Sequence, residues 1–268
     1  MKELLPPVLL NAYRYMRRSG ITFSGPYRSW HEAKVNSVGY DSEMILEKVK
    51  NAMMKVKSGE AAYERDGVVF EKAEYSFPVL VGFLRAALAN GGRLSVLDFG
   101  GSLGTCYYQN RKLLTELKEM RWSIVEQSSF VRCGRDLFAD GIPKFYDSLG
   151  ECLQFERPNA VLLSAVLQYV EQPYALLETI AQTGIKYVIL DRTPLGKGEN
   201  DVICVQHISK EIYEGSYPCW IFSSEKLKAF VNQKYTEVFD VDSLNFDALR
   251  RFNAKYRCVL FELAGARC

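Results

Sequence analysis

Apolar and polar positions divide the chain into two regions, and the first has helical periodicity. Residues 42–56 repeat apolar side chains at the spacing of one helix face. Ser76 can cap a second helix over residues 77–89, because the proline at position 78 is tolerated in a first turn. Glycines follow at positions 91 and 92 and end that helix. We therefore predict that residues 1–92 form an N-terminal helical cap.

From residue 93 onwards, short apolar strands alternate with helices. Strands are predicted at residues 94–99, 122–126, 144–146, 159–164 and 186–191. The helices between them are predicted at residues 105–120, 129–140 and 173–181. Residues 196–222 are predicted to be irregular, and a helix capped by Ser223 or Ser224 precedes two late strands at residues 236–241 and 257–263.

This alternation predicts an α/β fold, with a Rossmann-like, doubly wound, mostly parallel sheet. The two late strands have no clear helix between them, and we therefore expect an antiparallel edge strand. The chain is then a core domain at residues 93–268 with the helical extension of residues 1–92. Ligands bind such sheets beyond the carboxyl ends of the strands, where the strand order reverses.

The turn after the first predicted core strand is rich in glycine. It runs Asp98-Phe99-Gly100-Gly101-Ser102-Leu103-Gly104 and leads into a helix. Glycine allows a tight turn and a close approach of the backbone to a ligand, and the helix N-terminus offers free N–H groups. Glu126 ends the next strand, 22 residues after Gly104. A carboxylate there can accept hydrogen bonds from both hydroxyls of a ribose.

This arrangement resembles the class I S-adenosylmethionine-dependent methyltransferases, whose first motif is an acid-x-Gly-x-Gly-x-Gly turn with an acid ending the second strand. The resemblance covers residues 93–263. The chain is also similar to a bacterial methyltransferase subfamily often associated with surface-polysaccharide biosynthesis genes, in residues 96–104, 164–169, 191–194 and 217–223. This resemblance implies S-adenosylmethionine as the cofactor and methyl transfer to a small-molecule acceptor, such as a carbohydrate or another hydroxyl compound.

The resemblance also implies roles for single residues. Asp98 would orient the turn, while the methionine part of the cofactor would lie along Gly100, Gly101, Ser102 and Gly104. Glu126 would hold the ribose, and Asp147 or Ser148 would meet the adenine. The sulfonium would lie near Leu167, Gln168 and Tyr169. Ser102 replaces the middle glycine of the motif. A serine fits there if its backbone keeps a negative φ, whereas a turn that needs a positive φ at this position would weaken the cofactor assignment.

A hydroxyl acceptor requires a base, for which His207 and Asp191 are the candidates. His207 also fits a purely structural histidine. The acids and histidines show no metal-ligand spacing, and no metal is predicted. Aromatic residues of the cap would line the acceptor pocket: Tyr27, Trp30, Tyr40 and Tyr75.

Other function classes compete for the same turn. Residues 100–104 also read G-x-S-x-G, the nucleophile elbow of the α/β-hydrolases, and Ser102, Asp191 and His207 follow in that family's triad order. The helical cap upstream and the absence of a role for Glu126 disfavour a hydrolase. A nicotinamide dehydrogenase needs G-x-G-x-x-G, which positions 102 and 105 do not supply. A methyltransferase fold that has lost catalysis and acts as a binding module stays an alternative.

Composition narrows the function classes further. Lys and Arg number 34 against 32 Asp and Glu, a net charge of +2, which gives no electrostatic argument for a nucleic-acid partner. No segment approaches the ~18 apolar residues of a membrane span. Prolines also interrupt the apolar N-terminus, and we expect a cytoplasmic protein without a signal peptide. Seven cysteines without a C-x-x-C pair predict reduced thiols.

Overall fold

The computed structural model describes residues 20–39, 42–139, 141–208, 215–244 and 247–265. Its strands are β1 (Ile21–Tyr27), β2 (Tyr63–Arg65), β3 (Val68–Phe70), β4 (Arg93–Phe99), β5 (Glu119–Val125), β6 (Pro143–Tyr146), β7 (Ala160–Ser164), β8 (Tyr187–Gly196), β9 (Val202–Ile208), β10 (Gly215–Ser223), β11 (Tyr235–Leu244) and β12 (Ala254–Leu263). Its α-helices are α1 (Trp30–Val35), α2 (Ser42–Ser58), α3 (Phe77–Leu88), α4 (Thr105–Asn110), α5 (Ser128–Leu137), α6 (Leu149–Phe155), α7 (Pro173–Gln182) and α8 (Ser224–Val231). Segments of 3-10 helix occupy Arg111–Leu113, Leu167–Tyr169 and Asp247–Phe252. Tyr40 lies outside the described residues.

One mixed sheet dominates the fold, with the strand order β1-β9-β10-β8-β7-β4-β5-β6. The pairs from β8 through β7, β4 and β5 to β6 are parallel. β12 lies antiparallel along β8, and β11 pairs antiparallel with β12. The predicted α/β fold, with a mostly parallel sheet and an antiparallel edge, is therefore confirmed.

Helices cover both faces of the parallel part of the sheet, as a doubly wound fold requires. On one face, Val96 and Leu162 pack in a cluster with residues of α2, α3 and α5. On the other face, Leu97 and Val161 pack with residues of α6, α7 and α8. All four of these strand residues are fully buried. The continuous apolar runs of β4 and β7 are explained by this burial on both faces.

β8 links two parts of the sheet. Its first half, up to Asp191, pairs with β7, whereas Leu195 and Gly196 pair with β10. The change of neighbour occurs at Arg192, a non-glycine residue with φ 49°. β12 shows a register shift opposite this point, between Arg257 and Val259. β8 thus stops pairing with β7 at the carboxyl edge of the sheet, where the ligand is expected.

The N-terminal region contains strands that its sequence pattern did not predict. β1 pairs antiparallel with β9 and so joins the main sheet, while β2 and β3 form a separate hairpin. The region predicted as helices and loops therefore contains strands as well as the predicted helices. Gly25-Pro26 lies inside β1, at the register shift between Ser24 and Tyr27, and such a pair normally indicates a turn.

Residues 196–222 are also more regular than predicted. They contain β9 and β10, which pair antiparallel with Cys204 opposite Cys219. Pro218 lies within β10, and proline normally disfavours a paired strand. The far side of β10 meets β8 only at Phe222 and Ser223, so a proline at position 218 costs few ladder hydrogen bonds.

The helix predicted at residues 105–120 is shorter in the structure. α4 ends at Asn110, and β5 already begins at Glu119, which pairs with Arg93. Pairing within the sheet overrides the local helix propensity of this segment. The sequence analysis also missed α6, although Ser148 and Glu151 have capping-box spacing. The Ser148 hydroxyl accepts a hydrogen bond from the Glu151 N–H at 3.1 Å.

No helix within the described ranges is both long enough and apolar enough to cross a bilayer.

Candidate functional site

A cavity of about 1220 Å³ lies at the carboxyl ends of β4, β5, β7 and β8. The N-terminal region and β10 supply its opposite wall, including Trp30, Tyr75 and Tyr217. The structure brings most of the predicted site residues to this cavity: Asp98, Gly100, Gly101, Ser102, Glu126, Asp147, Ser148, Tyr169 and Asp191. The carboxyl edge of the sheet is therefore where the candidate chemistry converges.

The glycine-rich turn has a left-handed backbone at alternate residues. Gly100, Ser102 and Gly104 have φ of 70°, 55° and 92°. A Cβ atom on Gly100 would lie 2.4 Å from Cγ2 of Val166, so this position accepts only glycine without rearrangement. The negative φ that would let a serine fit the motif is absent at Ser102, and this counts against the cofactor assignment at this residue. The turn needs a left-handed residue there, and the serine adopts it at a cost of roughly 1–2 kcal/mol.

Glu126 joins the turn to the next strand. Its Oε1 accepts a hydrogen bond from the Ser102 N–H at 3.3 Å, and its Oε2 accepts one from the Gln127 N–H at 2.7 Å. Burial raises the pKa of Glu126, while these two backbone hydrogen bonds lower it. Each carboxylate oxygen keeps a second lone pair for a ligand in the cavity.

Asp98 lies beneath the turn and is 2% exposed. A Cβ atom on Gly101 would come within 2.6 Å of its Cγ. Its Oδ2 accepts a hydrogen bond from Nε1 of Trp122 at 3.0 Å. Burial raises the pKa of Asp98 to about 7, with Glu126 adding to the rise and Trp122 and Arg192 opposing it. Below about pH 7 the native protein therefore favours the protonated form of this carboxyl.

Asp98→Asn is expected to change the pH dependence of stability. Because the native pKa of Asp98 is about 7 against an ordinary 3.8, its contribution is fully present below about pH 4 and is lost as the pH rises to about 7. Asparagine keeps an oxygen for Trp122 and carries no charge. We expect the variant to match the wild type near about pH 4 and to exceed it by about 2–4 kcal/mol at about pH 8. Urea unfolding over this range measures the difference, and parallel curves would contradict the assignment.

Two predicted adenine residues lie at the start of α6. The Asp147 N–H donates to Oε2 of Glu151 at 2.7 Å, and Ser148 is the helix cap. Asp147 Oδ2 lies 3.6 Å from Nη2 of Arg135. Apolar side chains beside them also line the cavity: Val125, Phe130 and Leu149. This end of the cavity is therefore a partly apolar slot with polar groups at its edge.

Three of the predicted cofactor residues lie behind the cavity wall instead of lining it. Leu167 is fully buried in the core, because the 3-10 segment turns it inward. Gln168 is 1% exposed, and its Nε2 donates to the Arg192 carbonyl at 3.3 Å. Gly104 is the N-cap of α4 and follows the part of the turn that lines the cavity, which ends at Ser102. Of the 3-10 segment, Tyr169 lines the cavity, with its hydroxyl 3.0 Å from Oε1 of Gln206.

The two predicted bases are separated. Asp191 lines the cavity, where its Oδ2 accepts from Ser164 Oγ at 2.6 Å and its Oδ1 accepts from Ser243 Oγ at 2.8 Å. His207 does not line the cavity. It lies on β9, and its Nε2 is 2.8 Å from Oγ of Ser24. The prediction placed His207 in an irregular cover over the site, whereas pairing with β1 and β10 holds it in a strand.

This separation also bears on the hydrolase alternative. Within the described parts of the chain, the Ser102 hydroxyl has no hydrogen-bond partner, and Nε2 of His207 is engaged by Ser24 Oγ at 2.8 Å. A nucleophilic serine needs a base within hydrogen-bond reach. The G-x-S-x-G sequence is therefore not part of an assembled catalytic triad among the described residues.

The structure adds a group that the sequence analysis did not select. Glu64, on β2, lines the cavity and is 2% exposed. It accepts hydrogen bonds from the Thr105 hydroxyl and, at 3.1 Å, from the Gly67 N–H. Burial raises its pKa to about 7. The Asp66-Gly67 pair is a two-residue hairpin signal and could have located the hairpin that carries Glu64.

No group of three or more metal-ligating side chains is arranged to hold an ion in the part of the chain that the structure describes.

Comparisons with known proteins locate the fold. No protein-family model matches the chain, and no curated protein matches it. The N-terminal domain of EvdMO1, solved with SAH bound, is 14% identical with a TM-score of 0.50 over 84% of this chain and 98% of its own. An S-adenosylmethionine-dependent methyltransferase from Clostridium acetobutylicum ATCC 824 is 9% identical with a TM-score of 0.48, over 72% of this chain and 93% of its own. A Burkholderia thailandensis 1,6-didemethyltoxoflavin-N1-methyltransferase is 11% identical with a TM-score of 0.45, over 90% of this chain and 92% of its own. At such identities, the similarity to the EvdMO1 domain establishes the shared Rossmann-like fold.

Proposed function

We propose that this chain is a class I S-adenosylmethionine-dependent methyltransferase that acts on a small-molecule acceptor. The observation that carries the proposal is the link between Glu126 and the glycine-rich turn, through the 3.3 Å hydrogen bond from the Ser102 N–H. This link puts an acidic acceptor and a tight left-handed turn side by side at the carboxyl edge of the sheet. The EvdMO1 domain, which has the same fold, was solved with SAH bound.

The residues of the cavity fit this cofactor. Glu126 has free lone pairs for two ribose hydroxyls, and Ser148 with Phe130 and Leu149 offers a partly apolar slot for adenine. The backbone of the turn, which lines the cavity at Gly100, Gly101 and Ser102, can accept the amino-acid tail. The volume of about 1220 Å³ exceeds the roughly 300–1,000 Å³ typical of a site for one small ligand. It therefore leaves room for an acceptor beside the cofactor.

For this reaction the main task of the protein is to align the acceptor with the methyl group. S-adenosylmethionine, when bound, supplies an already activated methyl group. The protein must hold the acceptor in line with that group and exclude water. Tyr169 and Tyr217, whose rings meet edge to face at 5.1 Å, form an aromatic wall of the cavity. An aromatic face at this position would also favour the positive charge of the cofactor.

If the acceptor is a hydroxyl, we propose Asp191 as the base. Of the two predicted bases it is the one that lines the cavity, and Ser164 and Ser243 fix the orientation of its carboxylate. Glu64 is a second carboxyl group in the same cavity, and its pKa of about 7 suits proton transfer near neutral pH. His207, outside the cavity, has no part in this step.

The acceptor that we propose is a carbohydrate or a similar hydroxyl compound. Aromatic side chains line the acceptor side of the cavity: Trp30, Tyr63, Tyr75, Tyr169 and Tyr217. Sugars stack on such faces, and the similarity of the sequence to methyltransferases associated with polysaccharide genes supports the same class. Methylation in surface-polysaccharide biosynthesis is therefore part of the proposal.

Isothermal titration calorimetry tests the proposed function. We expect wild-type protein to bind S-adenosylmethionine and SAH at one site per chain, with NAD as a control ligand that does not bind. A protein that only binds a macromolecular partner through a degenerate fold would bind neither adenosyl compound, and that result would refute the proposal.

A further inference from the structure

Arg192 has an unusual backbone in the middle of β8. Its φ of 49° is left-handed, at the point where pairing with β7 has ended. The Gln168 side-chain amide donates to its carbonyl at 3.3 Å, and the Ala165 N–H donates to the preceding carbonyl of Asp191 at 2.9 Å. Strained non-glycine residues that neighbours hold in place are concentrated at functional sites. The fold thus maintains an arginine in this conformation at the edge of the cavity.

The guanidinium of Arg192 is only partly used by the protein. Its side chain is 23% exposed and lines the cavity. Nε donates to Ser164 Oγ at 3.2 Å and lies 3.5 Å from Oδ2 of Asp191. Among the described residues, neither Nη1 nor Nη2 has a hydrogen-bond acceptor. Arginine has five N–H donors, and donors left unpaired in a largely buried site are costly. The terminal nitrogens are therefore available to an anionic ligand.

The other cations that line the cavity are less suited to this role. Arg65 forms an ion pair with Glu74 at 3.0 Å. Lys34 is exposed to solvent on α1. A flexible, solvated ammonium selects a ligand less well than a buried guanidinium, whose planar fork matches a carboxylate with two parallel hydrogen bonds.

Arg192 lies beside the strand end that packs against the glycine-rich turn. Its Nε donates to Ser164 Oγ at 3.2 Å, and Val166, two residues further along the chain, is the side chain that a Cβ atom on Gly100 would meet at 2.4 Å. The arginine and the turn thus both contact the segment at the end of β7. The amino-acid end of the cofactor carries an ammonium and a carboxylate on one carbon. The carboxylate of that end is the group that the terminal nitrogens of Arg192 can bind with two parallel hydrogen bonds.

We propose that Arg192 binds the carboxylate at the amino-acid end of the cofactor. This inference rests on the proposed function. A carboxylate on the acceptor is the other source of the same chemistry, and the experiment below distinguishes the two. Arg192 is then a binding residue that neither the glycine motif nor the acid at the end of β5 signals.

The test is calorimetry with two ligands and three variants. The ligands are SAH and its decarboxylated analogue, in which hydrogen replaces the carboxylate. We expect Arg192→Gln to weaken SAH binding roughly 10- to 100-fold, the value of a charge-assisted hydrogen bond to a carboxylate. Binding of the decarboxylated analogue should change less than about threefold by the same reasoning. Arg192→Lys should recover part of the affinity for SAH, and the control Arg121→Gln, at an exposed arginine that does not line the cavity, should bind both ligands as the wild type does.

Two results would overturn the inference. Equal weakening of both ligands by Arg192→Gln would show a structural role, which the lysine variant and the melting temperature would confirm. Unchanged affinity for SAH would mean that the Arg192 guanidinium binds an anionic group of the acceptor instead of the cofactor. Both results presuppose that the wild type binds SAH. Failure of the wild type to bind either ligand is the separate result that refutes the proposed function as well.

Discussion

Glu126→Ala is expected to weaken SAH binding by about 100-fold or more. The carboxylate provides the acceptors for two ribose hydroxyls, and each hydrogen bond to a charged group is worth about 1.5–3 kcal/mol. Its two oxygens also hold the Ser102 and Gln127 N–H groups, so the alanine variant loosens the turn itself. Calorimetry measures the change in affinity.

Two companion variants separate these effects. Glu126→Gln keeps one oxygen acceptor and should give an intermediate loss. Glu119→Ala, at the other end of β5, removes a carboxylate that pairs with Arg121 at 2.7 Å and lines no part of the cavity. It should bind SAH like the wild type. Wild-type affinity in Glu126→Ala would mean that the acid does not hold the ribose.

Gly100→Ala is expected to destabilise the protein by about 2–4 kcal/mol. A left-handed backbone costs an alanine about 1 kcal/mol, and overpacking in a filled site adds about 1–3 kcal/mol. The added Cβ would meet Cγ2 of Val166 at 2.4 Å, with φ at 70°. Cofactor affinity should fall as well, because Val166 also lines the cavity. Urea unfolding and calorimetry measure the two effects.

The two parts of this cost can be measured separately. The double variant Gly100→Ala, Val166→Ala removes the contact with Cγ2 of Val166 and keeps both the Cβ contact at 2.9 Å and the strained φ, so it should recover only part of the overpacking cost. Gly59→Ala is the matched control for the backbone term, since Gly59 has φ of 87° and nothing lies within 4 Å of an added Cβ. A Gly100→Ala loss no larger than that of Gly59→Ala would contradict the packing described here.

The parallel core was predictable because its signals are local. β4 and β7 are continuous apolar runs, and burial on both faces requires such runs. The turn at residues 98–104 and the acid at position 126 stand at strand ends, which the pattern locates without knowledge of the tertiary structure. Parallel strands then bring their carboxyl ends to one edge, and so the meeting of the turn and Glu126 at the cavity could be predicted from the sequence.

The acceptor half was less predictable because it depends on long-range pairing. β1 and β10 contain Pro26 and Pro218, and their strand character arises from pairing with β9. The sequence pattern did not predict those strands, and so it placed His207 in a loop over the site. The same limit explains why Glu64 and Arg192 were missed. Their burial and their positions in the cavity follow from the hairpin that covers the turn and from the change of neighbour along β8.

The turn at Ser102 shows how a motif can depart from its usual residue without losing its geometry. The position is left-handed, with φ of 55°, and serine is strained there. The Ser102 N–H nevertheless reaches Glu126. The backbone of the turn, more than the side chain at its centre, therefore connects the two elements of the candidate site.

A crystal structure of the protein grown with SAH tests the central claim most directly. The account predicts electron density in the cavity at the carboxyl edge, with both ribose hydroxyls on the Glu126 carboxylate and the amino-acid tail along Gly100 and Gly101. Density for SAH at another surface, or a Glu126 carboxylate turned away from the ribose, would contradict it.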